Sequence, residues 1–310
     1  MFDALIKPLK ALTRPARRAL RGFRAGKAPR TAAGRCLFFV RSQKPLTLIL
    51  GPLHRRHPRV IELDLTYDCN LRCKNCNRSC GQAPSEVRMT LGQIEHFVSE
   101  SIEHDIRWDD IRLLGGEPTL HPGLFEIIDA LLDYRRRMGG AGSITLLSNG
   151  AGAAVRSVLA RIPEGITISS SSKDERPGSY AWYVGEKGEE FYIDFNDAPK
   201  DHARNTLTDY ANGCWIPVRH GIGLNPYGYY CCSCAASIDR VFGFDLGRKS
   251  LPHPEDLMAE QRRVFCGLCG HFGGGRKVVN AKGATISPSW EKAYARYNAG
   301  GQPELTRYGE

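Results

Sequence analysis

The sequence lacks any apolar run of the ~20 residues that a helix needs to cross a membrane. Its apolar stretches at residues 37–40 and 46–53 are much shorter, and the second contains a proline. A cleavable secretory signal and an internal repeat are also missing. These absences argue against a secreted or membrane-spanning protein, so we expect a cytoplasmic location.

Net positive charge is almost confined to the first 35 residues, because basic and acidic residues nearly balance in the rest of the chain. That segment contains ten Lys or Arg residues and one Asp, so it carries +9 of the formal net charge of +10. A nucleic-acid partner is not indicated, because the charge is neither spread over a folded face nor interleaved with stacking aromatic residues. Residues 1–35 are expected to be either a solvated tail or a contact with an anionic membrane surface or another acidic partner; a transit peptide is a further alternative.

Cysteine, in contrast, is abundant, with 11 residues in a chain of 310. A secreted, disulfide-stapled protein would be short, whereas this chain is long and its 42% hydrophobic residues can fill a sizeable core. We therefore expect the cysteines to be reduced and to bind metal.

Strand-like and helix-like segments alternate from residue 60 onward. An alternating strand at 60–65 runs into a cysteine-rich loop, and Thr90 and Gln93 form a capping box ahead of a helix at 91–102. Further strands are predicted at 111–114, 144–147, 166–168 and 191–195, and further helices at 124–134 and 155–162. This alternation predicts an α/β fold of parallel βαβ units, in which active-site residues gather after the carboxyl ends of the strands.

Cys69, Cys73 and Cys76 lie within eight residues on the loop after the first strand. An iron–sulfur cube takes four ligands, and a structural zinc site normally closes with four. Three thiolates therefore leave one iron of a cube open to a small molecule. The alternative is a zinc knuckle that Cys80 completes; otherwise Cys80 has no assigned role.

The motif Gly115-Gly116-Glu117-Pro118 closes the next strand. Together with the three-cysteine spacing after a strand, it resembles the radical SAM superfamily. The resemblance implies a partial (β/α) barrel at residues 58–212, a [4Fe–4S] cluster on the three cysteines, and S-adenosylmethionine (SAM) at the open iron. It also implies that the motif holds the methionine amino group of SAM, since glycine permits close approach and proline fixes the turn. The chain departs from the family at Asn75, where an aromatic residue usually precedes the third cysteine.

Ser148 and Asn149, followed by Gly150, stand at the end of the third predicted strand. The resemblance implies that residues here contact the ribose or carboxylate of SAM. A turn that simply ends a strand would contain the same residue types. Ser169 and Ser170, after the next strand, are weaker candidates for the same role.

A second group of cysteines lies at residues 213–275, where long apolar runs are few and metal ligation can replace a core. It resembles the auxiliary-cluster extension of radical SAM enzymes, the SPASM and shorter twitch domains, in which one ligand lies on a β-hairpin. The resemblance implies a second [4Fe–4S] cluster on four of these cysteines: Cys214, Cys232, Cys266 and Cys269. A structural zinc on the same thiolates is the alternative.

Cys231 and Cys234 flank the chosen hairpin ligand. They are either inert or hydrogen-atom donors to a substrate radical. The rest of the chain is predicted to be a basic appendage and linker at residues 1–57 and a C-terminal tail at 276–310.

The resemblance implies an enzyme that takes an electron from an external low-potential reductant of flavodoxin or ferredoxin type. It would cleave SAM to a 5′-deoxyadenosyl radical and remove hydrogen from a substrate C–H bond. We expect oxidation or epimerisation of a carbohydrate-type or natural-product substrate, with a modified peptide as the alternative. Functions of other classes are a zinc-binding nucleic-acid-interaction protein and a plain electron carrier.

Overall fold

A computed structural model describes residues 32–171, 183–184, 190–272, 277–278 and 286–309. Most of the basic segment therefore lies outside the described residues. Two short helices, α1 (Ala32–Arg41) and α2 (Lys44–Leu50), precede the central sheet. No helix of the described part is long and apolar enough to cross a membrane.

Within the described residues the strands form two sheets. Their bounds are β1 Val60–Thr66, β2 Asp110–Gly115, β3 Ser143–Ser148, β4 Ile166–Ser170, β5 Tyr183–Val184, β6 Glu190–Ile193, β7 Ile222–Asn225, β8 Gly228–Tyr230 and β9 Lys277–Val278. The main sheet has the order β4-β3-β2-β1-β7-β8, parallel throughout except for β8, which returns antiparallel as a hairpin. A small antiparallel sheet joins β5, β6 and β9. The predicted α/β class is confirmed, and the strand expected at 191–195 lies in the small sheet.

Helices cross between the parallel strands of the main sheet: α3 (Leu91–Glu103), α4 (Leu124–Arg137) and α5 (Ala153–Leu159). The capping box of α3 is confirmed. Thr90 Oγ1 accepts from the Gln93 N–H at 3.1 Å, and Gln93 Oε1 accepts from the Thr90 N–H at 3.0 Å. Helix α5 ends three residues before the predicted position 162, because the residue before Pro163 is disfavoured in a helix.

Strand β1 is buried on both faces, and its side chains alternate in character. Leu63 and Leu65 on one face belong to the main hydrophobic core, which includes side chains of α3 and α4. Glu62 and Asp64 on the other face form ion pairs with Arg78, at 3.3 Å and 3.1 Å. The core thus fills the space between sheet and helices, while the opposite face of β1 is charged.

The C-terminal part adds α6 (Ile216–His220), α7 (Ser233–Phe242), α8 (Ala259–Phe265) and α9 (Pro288–Asn298). Strand β7 of this part pairs in parallel with β1, with Leu224 opposite Leu63. This pairing crosses the boundary that the sequence placed after residue 212. The main sheet therefore draws strands from both predicted domains.

Residues 286–309, which the sequence assigned to a tail, pack onto the rest of the fold. Helix α9 buries Trp290, Tyr294 and Tyr297, and Tyr308 beyond it is also buried. The Tyr308 carbonyl accepts from Gln93 Nε2 on α3 at 2.7 Å. The described part of this segment is thus packed against the fold, because aromatic residues at helical spacing give α9 an apolar face to bury.

Candidate functional site

The loop after β1 carries Cys69, Cys73 and Cys76 at the carboxyl end of the parallel sheet. All three residues are half-buried. The Cys76 N–H donates to the Cys73 carbonyl at 3.3 Å, and Gln82 Nε2 donates to the Cys73 and Lys74 carbonyls at 2.7 Å each. These bonds fold the loop so that the three predicted ligands lie together near the surface.

Cys69 is tied to the loop that follows β3. Asn149 Nδ2 lies 3.9 Å from Cys69 Sγ and donates to Asn70 Oδ1 at 2.8 Å, while Asn70 Nδ2 donates to the Ala151 carbonyl at 2.7 Å. Burial, together with the neighbouring cysteine thiols, raises the pKa of Cys69 to about 12. A metal cation at this position would favour the thiolate form that ligation requires.

Cys80, to which the sequence gave no role, forms a hydrogen bond with Cys76. Its thiol is buried and also lies 3.9 Å from the Arg78 carbonyl. The Cys80 contact and nearby backbone N–H groups lower the pKa of Cys76 to about 6. Cys80 thus lies behind a predicted ligand, away from the surface on which the other three cysteines meet.

Gly115 and Gly116 bring the end of β2 against the cysteine loop. A Cβ on Gly116 would lie 2.0 Å from the Asp68 carbonyl oxygen, and one on Gly115 would lie 2.3 Å from that of Thr66. The Gly116 N–H donates to the Thr66 carbonyl at 2.7 Å. Glycine is therefore required here by the approach of two protein segments, a reason that the sequence did not reveal.

Glu117 is fully buried, and both of its carboxylate oxygens are hydrogen-bonded. Oε1 accepts from Thr119 Oγ1 at 2.7 Å and from Ser148 Oγ at 2.9 Å, and Oε2 accepts from the Asn149 N–H at 2.8 Å. Pro118 begins the short 3-10 turn that follows. Glu117 therefore ties the end of β2 to the end of β3, and the SAM contacts expected of Ser148 and Asn149 stay predictions.

The second group of cysteines converges in the interior. Cys214 precedes α6, Cys232 precedes α7, and Cys266 and Cys269 follow α8; all four are buried. Their thiols line one small cavity whose remaining walls are apolar: Ile216, Ala235, Ile238 and Phe265. The four residues assigned to the auxiliary cluster are thus brought together from three separate segments.

Cys231 and Cys234 lie beside this cavity without lining it. The Cys231 thiol forms hydrogen bonds with Cys232 and Cys266, and the Cys234 thiol forms them with Cys232 and Cys269. Both residues are buried. Their role as hydrogen-atom donors stays a prediction.

Both donor sets fit iron–sulfur clusters in number and chemistry. Among the described residues, no group of three or more His, Cys, Asp or Glu side chains is placed to hold a metal ion. The first set offers three thiolates at the surface, and the second offers four around a cavity.

Residues 63–172 match the family model described as the radical SAM superfamily. The matched segment, about a third of the chain, is similar to that superfamily. It contains the three-cysteine loop, the Gly-Gly-Glu-Pro motif and the Ser148-Asn149 pair. The superfamily that it resembles uses SAM and a [4Fe–4S] cluster.

Curated proteins resemble the same region. GTP 3′,8-cyclase of Synechococcus elongatus is 32% identical over 105 residues, covering 33% of this chain and 30% of that protein. The AdoMet-dependent heme synthase of Methanosarcina barkeri is 34% identical over 93 residues, covering 29% of this chain and 26% of that protein. This chain therefore spans less than a third of the length of either relative. A solved structure, BtrN in complex with AdoMet and 2-DOIA, aligns with a TM-score of 0.34 and 12% identity, over 67% of this chain and 82% of that chain.

Sequence reasoning missed the charged residues between the two cysteine groups. Burial raises the pKa of Asp64 to about 7, although Arg78 opposes the shift. Glu62 accepts from His220 Nδ1 at 2.7 Å and from the hydroxyl of Ser233, the residue after Cys232. Two carboxylates inside an apolar strand were the available signal, since such groups are buried only when they are paired.

Arg240 on α7 is a second missed residue. Its buried guanidinium donates to the Arg78 carbonyl at 3.0 Å and to the Ala83 carbonyl at 2.8 Å, and lies 4.2 Å from the centre of the Tyr67 ring. Helix α7 begins directly after Cys232. The helix that follows one cysteine group is therefore fixed to the loop that carries the other.

Ser169 and Ser170 lie exposed at the end of β4, on the outer edge of the main sheet. Strands β3 and β2 separate them from the strand that leads into the first cysteine loop. The structure therefore does not bring this pair to that loop as it brings Ser148 and Asn149.

Proposed function

We propose that this chain is a radical SAM enzyme. Cys69, Cys73 and Cys76 would hold a [4Fe–4S] cluster, with SAM bound at the remaining iron. Once reduced, this pair of cofactors supplies a 5′-deoxyadenosyl radical that removes hydrogen from a substrate C–H bond. The observation that carries the proposal is the half-exposed three-thiol loop at the carboxyl end of a parallel sheet, inside the segment that matches the superfamily model.

The protein's own task at this site is to hold geometry. Asn70 and Asn149 link the cysteine loop to the end of β3, and Glu117 links the end of β3 to that of β2. The Glu117 N–H also donates to the Asp68 carbonyl at 2.7 Å. These links fix the surroundings of the open iron, where a displacement of ~1 Å can cost about 100-fold in rate.

A second [4Fe–4S] cluster on Cys214, Cys232, Cys266 and Cys269 is the next part of the proposal. Its support is the cavity that these four thiols line. A buried site with four ligands offers no open iron to a substrate, but it can exchange electrons. We therefore favour a net oxidation, in which this site accepts an electron from the substrate radical, over a redox-neutral epimerisation.

The substrate is proposed to be a carbohydrate-type or hydroxyl-rich natural product. The face of β1 opposite the core carries Glu62 and Asp64, with Arg78 beside them, so the interior on this side is polar and charged. Such surroundings suit a substrate with several hydroxyl groups better than an apolar one. The electron for SAM cleavage would come from an external low-potential carrier of flavodoxin or ferredoxin type.

Residues 1–35 are proposed to contact an anionic membrane surface, which would place this otherwise cytoplasmic protein at the membrane periphery. The helices that follow expose apolar side chains: Phe39 and Val40 on α1 and Leu48 on α2, at 40%, 42% and 73% exposure. Leu207 adjoins them, since its carbonyl accepts from the Lys44 N–H at 2.9 Å. A basic segment beside exposed apolar side chains matches the two signals that peripheral membrane binding requires.

Label transfer tests the proposed function. Reconstituted, reduced protein is incubated with SAM and deuterium-labelled sugars or cyclitols, and the 5′-deoxyadenosine is analysed by mass spectrometry. Deuterium in 5′-deoxyadenosine supports the proposal, whereas transfer only from labelled peptides would favour the peptide-modifying alternative. Stoichiometric zinc in place of iron would reject the enzyme and favour the nucleic-acid class.

A further inference from the structure

Arg262 is a buried cation next to the second cysteine group. It lies on α8, four residues before Cys266, and only 1% of its surface is exposed. Its positive charge lowers the pKa of the Cys266 thiol, and Nη1 donates to the His54 carbonyl at 3.3 Å. Nε and Nη2 have no hydrogen-bond partner among the described residues.

Among the described residues, no guanidinium nitrogen of Arg262 bonds to a carboxylate. Arg262 and Arg41 both act as cations on His54. The pKa of His54 is lowered to about 4 by burial and then by the positive charges of Arg262 and Arg41. A buried guanidinium without a counter-anion is strongly unfavourable, so this region requires negative charge from elsewhere.

The cysteine cavity can supply that charge. Cys266 lies about one helical turn after Arg262 and is one of the four cysteines that line the cavity. Four thiolates around an iron–sulfur cube give the site a net negative charge, which increases by one when the cube is reduced. A fixed positive charge in a dry interior stabilises the more negative state.

We propose that Arg262 is a positioning residue that raises the reduction potential of the auxiliary cluster, so that this site can take the electron of a substrate radical. The inference rests on the second cluster of the proposed function. In an alcohol oxidation, the substrate carbon first loses a hydrogen atom to the deoxyadenosyl radical. The carbon radical would then give up one electron, for which a cluster held by Cys214, Cys232, Cys266 and Cys269 would be the acceptor, and its hydroxyl proton to solvent, which leaves a C=O bond. The electron is passed on to an external carrier of flavodoxin or ferredoxin type.

The test isolates the second cluster in the full-length chain. Cys69, Cys73 and Cys76 are replaced together by alanine, and the reconstituted protein is titrated with dithionite while its EPR signal is followed. Arg262→Gln is compared with Arg263→Gln in this background. The neighbouring Arg263 is exposed. Its variant therefore removes the same charge from the adjacent position, which faces solvent.

With Arg262→Gln, we expect the ratio of reduced to oxidised cluster at the original midpoint potential to fall by roughly tenfold or more. Arg263→Gln should change that ratio by less than about twofold, because an exposed charge is screened by water. Full iron content with an unchanged midpoint in Arg262→Gln would overturn the inference while leaving the second cluster in place. A triple-alanine protein that binds no iron would instead overturn the second cluster, and the inference with it.

Arg262→Lys covers the case in which the Gln variant loses its iron. Lysine keeps the charge without the planar guanidinium, so this variant should retain iron and a midpoint closer to that of the wild type. Equal loss of iron in both variants would indicate that packing alone requires Arg262, and would overturn the proposed effect on potential.

Discussion

The two cysteine regions are built in opposite ways. The first places three half-buried thiols on a single loop at the end of β1, while the second collects buried thiols from three segments around an apolar cavity. A site near the surface can admit and release a cosubstrate that is consumed in each turnover. A closed interior site suits a group that stays bound and exchanges only electrons.

The regions also differ in their surroundings, and one charged network lies between them. Arg78, two residues after Cys76, pairs with Glu62, which also accepts a hydrogen bond from Ser233, the residue after Cys232. The same α7 helix reaches back to the first loop through Arg240. These contacts therefore link the two cysteine regions directly.

Cys232→Ser should distinguish the roles of the two cysteine regions most clearly. We expect iron to fall from ~8 to ~4 atoms per chain, because one of two cubes loses a ligand. SAM cleavage at the first site should persist, while substrate oxidation is lost. Iron and sulfide analysis with EPR measures this outcome.

Cys231→Ser and Cys234→Ser are the matched controls, since both residues lie beside the cavity without lining it. Each should keep the full iron content. If either control lost about half of the iron while Cys232→Ser kept it, the hairpin ligand would be that control cysteine and not Cys232.

Arg78→Gln should break the link between the regions. We expect a loss of about 3–5 kcal/mol in the free energy of unfolding at pH 8, because two buried carboxylates lose their cation. Arg88→Gln removes a more exposed ion pair with Asp68 and should cost no more than about 1 kcal/mol. Urea unfolding of the two variants makes the comparison.

The cost of Arg78→Gln should depend on pH through Asp64. Its pKa is about 7 in the folded protein, above the ordinary 3.8, so between these values the folded state binds a proton that the unfolded state has lost. Stability from this group is therefore present at low pH and falls as pH rises through that window. At pH 5 Asp64 is neutral, so removing Arg78 should lower the free energy of unfolding by less than at pH 8. An equal loss at pH 5 and pH 8 would contradict this account of Asp64.

Gly116→Ala should damage the open region alone. The new Cβ would lie 2.0 Å from the Asp68 carbonyl oxygen, so β2 and the cysteine loop must move apart. We expect a loss of about 2 kcal/mol or more in stability, with weaker SAM binding. Gly92→Ala on α3 meets no atom closer than 3.8 Å and should be neutral or slightly stabilising. Thermal unfolding and equilibrium dialysis of SAM would detect the difference, and unaltered SAM binding in Gly116→Ala would contradict it.

Leu48→Ser should have the smallest effect on the protein. This residue lies on the surface, outside both cysteine regions. Removing this exposed side chain should weaken binding to vesicles with anionic lipid by roughly tenfold, because buried apolar area at the interface is lost. Leu91→Ser, at an exposed position of α3, is the control. Equal vesicle binding by wild type, Leu48→Ser and the control in a sedimentation assay would refute the membrane contact.

Local sequence patterns predicted the parallel strands, the capped helix and the α/β class, because each depends on neighbours within one element. They did not predict that β7 joins β1, since Leu63 and Leu224 pair across a long stretch of chain. They also missed α9, although Trp290, Tyr294 and Tyr297 stand at helical spacing. Polar and charged residues stand between these aromatics, so the sequence pattern did not indicate an apolar face.

For the candidate site, the structure places Cys214, Cys232, Cys266 and Cys269 around one cavity, while metal ligation by either cysteine group stays a prediction. Arg240 and Arg262 could not be predicted, because nothing in a sequence distinguishes a buried arginine from the exposed ones that proteins usually contain. Cys80 was set aside for a similar reason, since its contact with Cys76 depends on how the loop folds.

The central claim is that Cys69, Cys73 and Cys76 leave one iron of a cube open to SAM. It is tested most directly by adding SAM to anaerobically reconstituted, reduced protein and measuring the EPR spectrum and 5′-deoxyadenosine. We expect SAM to change the spectrum and to be cleaved by wild type and by Cys36→Ala, whose cysteine is exposed on α1, but not by Cys73→Ala. An unchanged spectrum in the wild type, or full cleavage by Cys73→Ala, would contradict the claim.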